Sequence, residues 1–107
     1  MNEIIARNEI FNDGKTIHLY FNGLVGLYAA YGVSAYLLSK CADVTPSYSE
    51  SMQMPVVVIN TMHYGEVAQK LSIRKDVGNY RCLTVEEGAD MKAYDEWASA
   101  LRSEKEL

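Results

Sequence analysis

From Thr16 to Phe21 apolar and polar residues alternate, which suits a half-buried strand. Ile17, Leu19 and Phe21 would face one side of it, His18 and Tyr20 the other. The preceding Asn12-Asp13-Gly14-Lys15 is a turn signal, because Asp-Gly tolerates positive φ. Downstream the period changes. Ala30, Val33, Leu37, Leu38 and Cys41 fall on one face of an expected helix running from Leu27 or Tyr28 to Cys41. Gly32, inside that span, lowers helix propensity by ~1 kcal/mol relative to Ala. Between the two elements, Asn22-Gly23 has two readings. It is a hairpin turn with Leu24 to Tyr28 returning as a strand, or a bulge through which the strand bends into the helix near Gly26.

Asp43 to Gln53 is polar, Ser-rich and contains Pro46, as expected of a loop. Met54 to Ile59 is an uninterrupted apolar, Val-rich run, the pattern of a strand covered on both faces. Asn60 and Thr61 are N-cap residues for a helix carrying Tyr64, Val67, Ala68 and Leu71 on one side. Arg74 to Asn79 reads as a charged turn and Tyr80 to Val85 as a strand. Asp90 would cap a last helix striped by Met91, Tyr94, Trp97, Ala98 and Leu101, fraying from Ser103 to Leu107. Residues 1–11 fit neither helix nor strand cleanly. The order β, α, β, α, β, α, with one extra element possible at the start, predicts an α/β fold: a small mixed β-sheet flanked by helices.

At 107 residues the chain fits one domain, with a C-terminal helix over about 90–103. The net charge of −4 argues against the strong basic field of a free-standing DNA binder, although a local patch can act within an acidic whole. Cys41 and Cys82 have no neighbours at metal-ligand spacing and are expected as reduced buried thiols. No signal peptide and no membrane-length apolar run is read, so a cytoplasmic setting is expected. His18 and His63 lie outside any recognised catalytic motif, and packing or capping is the expectation for both. Gly23-x-x-Gly26 lacks the third glycine and the Lys-Ser/Thr of a phosphate loop. Neither a metal nor a cofactor is expected, and no catalytic constellation is read. Eight tyrosines are unusual for this length, and Tyr20, Tyr28, Tyr31 and Tyr36 crowd one stretch. Lys40 is the only basic residue between Thr16 and Lys70, which favours core and protein-interface use of these rings over base stacking.

The segment from Tyr28 to Thr45 resembles the N-terminal mismatch-recognition domain of the MutS DNA-repair family. There an apolar strand leads to Gly-Asp-Phe-Tyr-Glu, then an aromatic residue and Gly-Glu-Asp-Ala. Here Ile17 to Phe21 is similar to the strand, and Tyr28, Tyr31, Gly32, Ala35, Ser39 and Lys40 fall on family positions. Asp43-Val44-Thr45, Met54-Pro55, the stretch from His63 to Leu71, and Gly78-Asn79-Tyr80 resemble later family steps, so the resemblance spans about residues 16–87. It favours the bend near Gly26 over the hairpin. In the family a Phe wedges the duplex and a Glu contacts the displaced base. Leu27 and Ala29 stand at those positions, and Val25-Gly26 replaces the Gly-Asp.

The resemblance implies a non-enzymatic, DNA-associated or accessory module without the Phe-x-Glu reader. It would contact DNA through a Leu27–Tyr28 turn next to Ala29, supported by Arg74 and Lys75. The alternative is a protein–protein interaction module, homodimeric or bound to another protein, that keeps the fold without DNA binding. The acidic balance, the missing reader and the tyrosine excess support it.

Overall fold

Residues 2–106 are described by a computed structural model. Helix α1 spans Asn2–Ile10, and the hairpin β1 (Thr16–Asn22) and β2 (Leu27–Tyr31) follows. Then come α2 (Gly32–Cys41), β3 (Ser47–Ser49), β4 (Met54–Asn60) and α3 (Thr61–Lys70). The chain ends with β5 (Ser72–Val77), β6 (Tyr80–Thr84) and α4 (Met91–Glu106). The six strands form one sheet in the order β3-β4-β2-β1-β6-β5, and every neighbouring pair is antiparallel. The α/β class is as expected, but the sheet is not of mixed direction. Among the described residues no helix is long and apolar enough to cross a membrane.

Asn22-Gly23 opens a hairpin, not a bend. Asn22 closes the four-residue loop: its carbonyl accepts from the Val25 and Gly26 N–H groups at 3.3 and 2.9 Å, and its side-chain oxygen from Leu24 N–H at 3.0 Å. Gly26 takes φ +67°, a conformation an L side chain rarely adopts. The strand returns in register with β1, pairing Asn22 with Leu27 and Tyr20 with Ala29. The anticipated change from strand to helix does occur, but at Gly32. That residue has φ +56°, and a Cβ there would lie 3.3 Å from Glu9 and from the Met54 sulfur. Gly32 is therefore the hinge that begins α2, not a weak point inside it.

One face of the sheet carries the core. Ile17, Leu19, Tyr28, Ala30, Val57, Ile59 and Leu83 meet Val33, Leu37 and Leu38 of α2 and Val67 of α3. The tyrosines extend it. Tyr28 packs on Tyr64 and Phe21 with ring centroids 4.5 and 4.7 Å apart, and Tyr36 of α2 meets Trp97 of α4 at 5.1 Å. Asn60 caps α3 by accepting from His63 N–H at 2.8 Å, and Asp90 accepts from Lys92 N–H at 3.0 Å.

Several local expectations change. Residues 2–10 of the undecided N-terminal segment are helical. The Ser-rich loop contributes the short edge strand β3. The presumed charged turn after Ile73 is the far edge strand β5, with the turn confined to its end. Helix α4 extends to Glu106, and Leu107, the end of the segment expected to fray, lies outside the described residues. Strand β4 is covered on one face only: Pro55, Val57 and Ile59 are buried, while Val58 is 52% exposed.

Helix α1 lies against the second face of the sheet, anchored by Ile5, Asn8 and Glu9. Ile5 is buried, and Asn8 donates to the Tyr20 hydroxyl at 2.8 Å. Glu9 caps α2 from outside that helix, accepting from Ser34 N–H at 2.9 Å and Ser34 Oγ at 2.5 Å. This supplies what Tyr31, the N-cap residue, lacks, since it makes no side-chain cap bond. The Ser34 hydroxyl accepts in turn from His18 N–H at 2.9 Å, where β1 runs past the last β2 pair, and Asn12 donates to the Thr16 carbonyl at 2.8 Å. Backbone groups left over where β2 departs for α2 are thus met by a buried side-chain cluster.

Candidate functional site

Helix α1 crosses the second sheet face as a strap and leaves a hollow on each side of it. Toward β2 and β4 the hollow measures about 680 Å³ and is lined by Tyr20, Leu27, Ala29, Tyr31, Val58 and the tip of the β1–β2 hairpin. Among the described residues no charged side chain lines it. Its rim is strongly apolar: Leu24 is 97% and Val25 62% exposed at the hairpin tip. Toward β6 and β5 lies a groove of about 430 Å³ containing Asp13, His18, Arg74, Lys75, Tyr80 and Cys82.

The residues singled out from sequence are divided between these places. Leu27 and Ala29 lie on β2 facing the apolar hollow, whereas Tyr28, between them, points into the core and is buried. Period-two geometry makes this unavoidable once the segment is a strand. The Leu27–Tyr28 turn therefore does not exist, and a wedge at Leu27 cannot act together with Tyr28. Arg74 and Lys75 belong to the polar groove on β5. With β1 and β6 intervening, β5 is three strand spacings from β2, or about 14 Å. The five candidates do not form one site.

In the polar groove His18 Nδ1 and the Tyr80 hydroxyl are 2.5 Å apart, with the rings stacked. Burial pushes the Tyr80 phenol far above its usual range, so it stays protonated. Burial pulls the His18 imidazole below 6.5, outweighing the attraction of Asp13. The two groups share one hydrogen bond, whose donor is set by the imidazole tautomer. Asp13 is held below its ordinary value by the Lys15 N–H and the Thr16 hydroxyl. Among the described residues Arg74 and Lys75 make no ion pair within 4 Å; the neighbouring pair, Arg81 with Asp76 at 3.0 Å, uses other residues.

Both thiols are free, Cys82 buried and Cys41 partly so, and the described residues hold no cluster of three metal-ligating side chains. Sequence reading missed Leu24, Val25 and Val58. The hairpin alternative at Asn22-Gly23 would have placed the first two on an exposed tip. Val58 was hidden because an unbroken Val run carries no alternation to show which face is bare. No family model, curated protein or solved structure matches this chain.

Proposed function

We propose that this protein is a protein–protein interaction module whose occupant is a second copy of itself, docked through the apolar hollow beside α1. The observation that carries the reading is the pairing of a projecting apolar tip, Leu24-Val25, with an adjoining apolar depression lined by Leu27, Ala29 and Val58 on one face. A two-fold axis lets each tip enter the partner's depression, the self-complementary arrangement an isologous dimer needs. The described side chains of the lining are uncharged, so copies that each carry −4 overall meet there without like side-chain charges. The free edge at β5 is a poorer dimer surface. It carries Arg74, Lys75 and Asp76 and a bulge between Ile73 and Lys75, features that discourage edge pairing. Sedimentation equilibrium tests the reading: the chain should self-associate, and Leu24→Asp or Val58→Asp should return it to monomer. A wild-type monomer at all accessible concentrations would refute it.

The DNA-associated reading keeps one observation: among the described residues Arg74 and Lys75 make no ion pair. It requires duplex or single-stranded DNA to bind in a salt-dependent way that Lys75→Gln weakens. No binding at low salt would eliminate it.

A further inference from the structure

Adjacent residues of a regular strand point to opposite faces, so Arg74 and Lys75 should not share a site. They do share one, because the β5–β6 register slips between Ile73 and Lys75 and leaves Arg74 as the extra residue of a bulge. Both cations line the groove beside α1. Among the described residues neither has an ion-pair partner. Among the described residues Asp13 is the only carboxylate lining the groove, and its oxygen already accepts from Lys15 N–H and Thr16 Oγ1 at 2.8 and 2.9 Å. Two cations against one anion leave a local charge of +1 on a chain whose total is −4. Phe11, 79% exposed at the rim, and the Tyr80 ring, stacked with His18, provide aromatic surface in the same groove.

We infer that the groove between α1 and β5 binds a small aromatic carboxylate, with Arg74 and Lys75 holding the carboxylate and Phe11 and Tyr80 the ring. The guanidinium fork matches the two oxygens of a carboxylate, and the ammonium adds a second point of attraction. The local excess of one positive charge is balanced by a monoanion, which favours a carboxylate over a phosphate dianion. This ligand site is separate from the apolar hollow and does not depend on self-association.

Titration of the isotope-labelled full chain with benzoate, followed by amide shifts, tests the inference. Saturable shifts should centre on His18, Lys75, Tyr80 and Cys82, with acetate and phenyl phosphate each binding about tenfold more weakly. Arg74→Gln and Lys75→Gln, both at exposed positions, should each weaken benzoate about tenfold. Phe11→Ala should erase the preference for benzoate over acetate, and the tip variant Leu24→Asp should bind as wild type does. Absence of saturable shifts, shifts centred elsewhere, or benzoate binding unchanged in both cation variants would overturn the proposal. Equal binding of acetate would overturn the assignment of the ring to Phe11 and Tyr80.

Discussion

The two faces of the sheet are built from the same alternating strands and have opposite fates. On the core face Ile17, Leu19 and Leu83 are fully enclosed in the cluster that α2 and α3 complete. On the other face a single nine-residue helix covers only the middle. It shields Tyr20 and leaves Val58 half exposed in one direction and Lys75 open in the other. The core face accounts for folding; the strapped face is where surface remains for binding. What separates them is helix coverage, since Val57 and Val58 are neighbours of identical chemistry with 1% and 52% exposure.

This contrast can be broken by substitution. The largest effect is expected on the core face: Leu83→Ala should destabilise the fold by on the order of 3 kcal/mol in denaturant unfolding, through lost burial and a residual cavity. Val58→Ala, measured in the monomeric state, should change it by less than about 1 kcal/mol. Equal losses at the two positions would mean the faces are not distinct.

The strap itself is pH-dependent. Burial lifts the Glu9 carboxyl from 4.5 to about 7, against the hydrogen bonds from Ser34 and Asn12 that favour its ionised form. The folded chain therefore binds this proton more tightly than the unfolded chain. Its contribution to stability is complete below pH 4.5 and is lost as pH rises through 7. The 2.5 pH-unit interval between 4.5 and 7 corresponds to about 3 kcal/mol. His18 acts oppositely: its folded value lies below 6.5, so protonation weakens the fold as pH falls through it. Comparison with Glu9→Gln isolates the carboxyl. The variant should gain on wild type by about 3 kcal/mol between pH 4 and pH 8, and parallel stability curves would contradict this. Ser34→Ala should cost about 2 kcal/mol, because it leaves the His18 N–H without its acceptor and removes a donor from Glu9. The smallest effect on monomer stability belongs to Leu24→Asp, within about 0.5 kcal/mol at a 97% exposed position.

The fold class, β1, α3, β6 and the α4 stripe from Tyr94 to Leu101 were legible because each carries an unambiguous period or a cap residue with one role, whereas Met91 at the head of that stripe is exposed. The hairpin was not. Leu27 to Tyr31 is short and apolar, and Ala29-Ala30 suits a helix as readily as a strand. The decision depended on Asn22 closing its loop and on β4 waiting to pair. Strand β5 was illegible for another reason: all six residues are exposed, so no apolar alternation marks it, and only pairing with β6 makes it a strand. A bend near Gly26 would put Leu27 and Tyr28 on one turn next to Ala29, whereas a strand sends Tyr28 to the opposite face. The polar groove could not be read at all, since it brings residues 13, 18, 74, 75, 80 and 82 together through sheet order and a bulge.

Self-association through the apolar hollow is tested most directly by a dilution series of amide spectra on the wild-type chain. Leu24, Val25, Leu27 and Val58 should shift progressively with concentration while Lys75 and Cys82 stay fixed. Spectra that do not change on dilution, or changes centred on β5, would contradict the account.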